Sequence, residues 1–148
     1  MRLMIAACVL GLLGCQSTSV RSDPRPPLVR KLAALGVSDA STRKIVIVDT
    51  EAGYGSDVQA TVEWDFLIQD IWDTIYQARP YSRWAASGFR KLLFYKDAES
   101  QVPAAELLVN ATDRCHFEGA FEDGYRCPGI HRILERELKA EHEKRNSR

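Results

Sequence analysis

The sequence KIVIVDT at residues 44–50 decides the fold of this chain. Its β-branched apolar residues favour a strand, and because both faces of its centre are apolar, the strand is expected inside a sheet. A turn containing Gly53 and Gly55 follows, and apolar and polar residues then alternate from Val58 to Phe66. Alternation with a period of two predicts a second strand, which would pair with the first as a hairpin.

The competing interpretation of the second strand is one long helix over residues 57–78. On that helix Val62 and Phe66 would fall outside the apolar stripe, so the hairpin is favoured. Both interpretations agree on a helix after Asp65, and it ends before Pro80, because proline disfavours helical geometry in its predecessor.

The remaining patterns continue this mixture of helices and strands. They predict a helix at 28–35 ended by Gly36, a short helix from Pro80 to Gly88, strands at 89–96 and 107–112, and a last helix from Ile130 that frays after Leu138. The predicted fold class is therefore α+β, with a small, mostly antiparallel sheet and helices packed largely on one face.

The N-terminus has the parts of an export signal: a charged Arg2, a short apolar run and a small Gly14. The run is too short to cross a bilayer as a helix, which needs roughly 20 residues. In the order Leu12, Leu13, Gly14, Cys15, this segment resembles the lipobox of bacterial lipoproteins.

That resemblance implies lipidation of Cys15 after removal of residues 1–14, and attachment to a membrane through the lipid. Gln16 follows the cysteine, which by the same resemblance favours the outer membrane. The expected organisation is a signal peptide at 1–14, the lipidated cysteine with a proline-rich tether at 15–27, and one α+β domain at 28–148.

Two cysteines remain free to pair after this processing, Cys115 and Cys127. In an exported chain such a pair predicts a disulfide, because the periplasm is oxidising. The alternative is a zinc site that also uses His116 and His131. It lacks the usual Cys-x-x-Cys spacing, and adjacent ligands would hardly reach one ion, so we predict a disulfide and no metal site.

No pattern of residues predicts a catalytic site or a cofactor. Asp49 and Glu51 could form an acid–base pair at a strand end, but acidic residues there are more often solvated caps. Neither a phosphate-binding glycine loop nor a Gly-x-Ser-x-Gly elbow is present. The chain has 20 basic and 20 acidic side chains, a balance that argues against a nucleic-acid partner.

The richest mixture of arginine and aromatic residues gives the one candidate surface: Arg79, Tyr81, Arg83 and Trp84. These residue types are enriched at protein interfaces, although they could equally fill the core and cap helix ends. The sequence therefore favours an envelope interaction lipoprotein that binds an envelope protein or a wall component. The alternatives are a protective inhibitor or immunity lipoprotein against a toxin or lysozyme-like enzyme, and an envelope enzyme.

Overall fold

A computed structural model describes residues 23–50, 58–81, 89–117 and 124–148. The predicted signal peptide, Cys15, Glu51, Arg83 and Trp84 lie outside these ranges. The described residues form α1 (Pro27–Ala34), β1 (Lys44–Asp49), β2 (Gln59–Val62), α2 (Asp65–Tyr76), β3 (Arg79–Tyr81), β4 (Phe89–Tyr95), β5 (Ala105–Asn110), β6 (Arg114–His116), β7 (Gly124–Arg126) and α3 (Ile130–Asn146).

The seven described strands make one antiparallel sheet in the order β2-β1-β4-β5-β6-β7-β3. The hairpin prediction is confirmed, because β2 pairs with β1 and places Val62 opposite Ile45. The prediction of an interior first strand is also confirmed, since β1 lies between β2 and β4.

One face of the sheet carries the core. Alternate strand residues there are fully buried, among them Ile45, Ile47, Leu92, Phe94, Leu107 and Val109. Trp72 joins α2 to this face: its ring lies edge-on to Phe94 with centroids 5.9 Å apart, and its indole N–H donates to Thr42 Oγ1 at 3.2 Å. The predicted α+β fold, with helices packed largely on one face, is thus confirmed.

The other sides of the same strands form the open face of the sheet. Val46, Val48, Leu93 and Leu108 are only partly buried there, whereas Asn110 and His116, which lie on the same face, are buried. Lys91 and Glu106 pair across this face, with Nζ and Oε2 3.2 Å apart. Every residue at an alternate strand position therefore has one of two roles, in the core or on the open face.

The end of α1 agrees with the prediction from sequence, and the end of α3 does not. Gly36 ends α1 as predicted, with the positive φ of 75° that glycine adopts without strain. The expected fraying after Leu138 is wrong, because α3 continues to Asn146. Lys139 with Glu143, and Glu141 with Arg145, form i,i+4 pairs along that last part, and such pairs support an exposed helix.

Two predicted boundaries are also wrong. The alternation of apolar and polar residues predicted a strand as far as Phe66, but β2 ends at Val62 and Phe66 belongs to α2. The short helix expected from Pro80 is not formed at Arg79–Tyr81, which is strand β3. Proline is tolerated there because β3 is an edge strand, where one side makes no ladder bonds.

The C-terminal hairpin and α3 are joined by two cross-links. Cys115 and Cys127 form the predicted disulfide, with Cα atoms 6.7 Å apart, so their sulfurs are not available to the alternative zinc site. Asp113 adopts a positive φ of 61°, which aspartate tolerates better than most residues. Its carboxylate accepts the backbone N–H groups of Gly129 and His131, each at 3.0 Å, and so caps the start of α3.

Candidate binding surface

Arg79 and Tyr81 of the candidate surface lie on the open face of the sheet. Between them Pro80 is opposite Tyr125, which is buried and has the Lys31 ammonium of α1 5.7 Å from its ring centroid. Tyr125 therefore faces the helices, and its neighbours in the strand face the other way. Arg79 is exposed and Tyr81 is partly buried.

The strand register brings two further arginines to the same place. Arg126 is directly opposite Arg79 across β3 and β7, and directly opposite Arg114 across β7 and β6. Directly opposite residues share a face, with Cβ atoms about 4.5–5.5 Å apart. We call Arg79, Arg126 and Arg114 the arginine row; it places three like charges side by side, an arrangement that lowers the stability of a sheet.

Tyr81 is held in place by the third arginine of the row. The Arg114 guanidinium carbon lies 4.4 Å from the centroid of the Tyr81 ring, and Arg114 Nη2 donates to the Tyr81 hydroxyl at 2.9 Å. This contact uses the positive charge of Arg114 within the domain and fixes the ring. Arg79 and Arg126, both exposed, are left as the outward-facing cations.

The carboxylates of the described residues leave these two cations unneutralised. Asp113 is next to Arg114 in the chain, but its oxygens accept the α3 N–H groups. Among the ion pairs of the described residues, none involves Arg79 or Arg126. A guanidinium presents a planar fork of donors that matches carboxylate and phosphate oxygens. The arginine row can therefore bind an anion.

A second charged cluster lies on the core face, where Asp49 is buried, Arg90 is nearly buried and Glu135 is partly exposed. Arg90 Nη2 lies 2.8 Å from Glu135 Oε2 of α3, and Arg90 Nε lies 4.0 Å from Asp49 Oδ1. The expected solvated cap at Asp49 is wrong, because this residue is only 1% exposed. One arginine shared by two carboxylates attaches α3 to β1 and β4, so we assign the cluster a structural role.

The sequence patterns missed one exposed apolar feature. Trp64 and Phe66 precede and begin α2, with 70% and 63% of their surfaces exposed. Their alternation with Glu63 and Asp65 predicted strand residues, and nothing in that pattern distinguished an exposed pair from a buried one. In a monomer, scattered exposed apolar side chains are common, and these two do not by themselves define a site.

The described residues contain no group of three or more histidine, cysteine or acidic side chains placed to hold a metal ion. Within the same residues no helix is both long enough and apolar enough to cross a bilayer. The chain matches no protein-family model, no curated protein and no solved structure. Any functional conclusion therefore depends on the residues and contacts described above.

A buried histidine beside the row predicts a pH effect on stability. His116 on β6 is fully buried, and its Nδ1 lies 3.0 Å from the Phe117 carbonyl oxygen, to which a protonated Nδ1 donates. Burial lowers the pKa of His116 below the ordinary value of 6.5. Below about pH 6.5 the His116 side chain binds a proton in the unfolded chain but stays neutral in the folded chain. The free energy of unfolding is therefore highest above that pH and falls as the pH drops towards the lowered pKa.

We expect His116→Gln to flatten this dependence, by at most about 1.4 kcal/mol for each pH unit in the window. Urea unfolding on both sides of pH 6.5 measures it. The matched control is the same substitution at a partly exposed histidine, His142→Gln near the end of α3. An unaltered pH dependence in His116→Gln would contradict the prediction.

Proposed function

We propose that this protein is a lipid-anchored envelope lipoprotein whose domain acts by binding another component of the envelope. The observation that carries the binding role is the open face at the β3 edge, where Arg79, Arg126 and a fixed Tyr81 are presented together. Arginine and tyrosine are the residue types enriched at the energetic centres of interfaces. The exposure of Arg79 and Arg126 on one face of β3 and β7 favours a binding role over a core role for these arginines.

The anchoring half of the proposal is supported by the sequence from Leu12 to Cys15. A single acyl chain gives only marginal membrane binding, whereas the two or three chains of a bacterial lipoprotein hold it durably. The Cys115–Cys127 disulfide suits an oxidising compartment such as the periplasm. With Gln16 after the lipidated cysteine, the outer membrane is the proposed location.

We expect Cys15→Ser to abolish acylation, because its thiol is the proposed attachment point. Labelled palmitate should enter the wild-type protein and not this variant, and membrane fractions should lose the variant. Cys8→Ser is the matched control, since Cys8 lies in the segment that is removed, and it should label normally. Equal labelling of wild type and Cys15→Ser would refute the proposed anchor.

The binding half is tested in the same cells with a photo-crosslinking amino acid at position 126. Because Arg126 is exposed, replacing it with the photo-crosslinking amino acid does not disturb the packing of the core. We expect an adduct with an envelope component at position 126 and none at position 132, an exposed arginine site on α3. Adducts of equal yield at both positions would contradict a specific binding role for the arginine row.

A further inference from the structure

The chain enters the domain at the β3 edge of the sheet, on the face opposite to the arginine row. Residues 23–26 lead directly into α1, which contacts β3, and Lys31 of α1 lies over Tyr125 of β7. The tether therefore joins the domain at the β7–β3 edge of the sheet.

The length of the tether keeps this edge near its proposed anchor. Residues 15–26 number twelve, and even a fully extended chain spans at most about 3.6 Å for each residue, or roughly 40 Å. A group held at that distance by a short linker meets its surface at an effective concentration in the millimolar range. Weak contacts with the membrane then suffice to orient the domain.

The charges at this edge suit an anionic surface. Arg79 and Arg126 face outwards without a carboxylate partner among the described residues. Each basic side chain near an anionic leaflet contributes to attraction, and the guanidinium fork fits phosphate oxygens. Tyr81 adds an amphipathic ring of the kind enriched at membrane–water interfaces.

We infer that the arginine row docks the domain onto the anionic phospholipid headgroups of the membrane that carries its own anchor. This inference rests on the proposed lipid anchoring and names the partner of the proposed binding surface. Lipid and arginine row together form a two-part attachment, in which the acyl chains give permanence and the row gives orientation. An acidic protein is the competing partner, and the experiment distinguishes it.

The experiment uses the mature chain, residues 15–148, with Cys15→Ser so that no lipid contributes. Co-sedimentation is measured with vesicles of phosphatidylcholine alone and of phosphatidylcholine mixed with phosphatidylglycerol. We expect binding to the mixed vesicles only, weakening as salt is added. Arg79→Gln with Arg126→Gln should lower the partition coefficient by about 25-fold, or about fivefold for each arginine.

The matched control is Arg43→Gln with Arg132→Gln, which changes the net charge equally at two exposed arginines outside the row. It should bind as the wild type does, and melting curves should coincide for all three proteins. No binding to mixed vesicles, or an equal loss in the control, would overturn the inference. A protein adduct at position 126 without vesicle binding would overturn it too, while supporting the proposed function. Vesicle binding without palmitate labelling would support headgroup docking and contradict the proposed anchor.

Discussion

Replacing Arg90 with methionine is expected to lower the free energy of unfolding by about 3–5 kcal/mol. The Arg90 side chain is 12% exposed and lies between the Glu135 carboxylate and that of Asp49, whose side chain has no exposed surface. Methionine fills similar space but removes the cation from a fully buried carboxylate, Asp49, and from a partly exposed one, Glu135. Urea unfolding of both proteins at neutral pH measures the difference.

The neighbouring residue provides a matched control for this substitution. Lys91 pairs with Glu106 on the open face, with side chains 27% and 38% exposed, and exposed pairs contribute about 1 kcal/mol or less. Lys91→Met should therefore cost little. Adding Asp49→Asn and Glu135→Gln to Arg90→Met should recover much of the loss, because the two negative charges that faced Arg90 are then removed as well. Equal costs for Arg90→Met and Lys91→Met would contradict the assigned role.

Removing the disulfide through Cys115→Ala with Cys127→Ala is expected to cost about 2–5 kcal/mol. The bond closes a loop between residues 12 positions apart, and in the chain-entropy model a loop of this size accounts for about 3 kcal/mol. Both cysteines are fully buried, so the alanines also remove packing. Chemical unfolding without reductant compares the variant with the wild type.

Reduced wild-type protein separates the two contributions, since it keeps both sulfurs in the core but lacks the bond. Unfolding in the presence of a thiol reductant should give most of the loss seen in the double variant. An undiminished stability after verified reduction would show that packing, and not the cross-link, stabilises the C-terminal hairpin.

The sequence correctly predicted the elements that depend on residues close together in the chain. The β-branched run at 44–50 gave β1, and the apolar stripe after Asp65 gave α2, because side-chain period and propensity act within one element. The end of β2 was misplaced since Trp64 and Phe66 keep the alternation while the backbone turns into α2. The exposure of these two rings depends on the tertiary packing around them, and the period of the apolar residues in the sequence contains no information about that packing.

Pairings between distant segments explain the remaining differences. β3 has three residues with proline at its centre, and it is a strand only because β7 lies beside it. Asp49 is buried because Arg90 meets it from another strand. The sequence identified Arg79 and Tyr81 as candidates, but Arg126 joins them through register, which no local signal contains.

The position of β3 in the sheet has a consequence for biogenesis. Among the strands that the structure describes, β3 precedes β4 in the chain but pairs with β7, the last of them to be synthesised. While the chain emerges from a ribosome or an export channel, residues 79–81 have no strand to join, and such long-range pairing slows folding. The arginine row cannot form before residues 124–126 are present, because Arg126 belongs to β7. A nascent or truncated chain lacking these residues therefore has the proposed tether but not the surface that we propose for membrane docking.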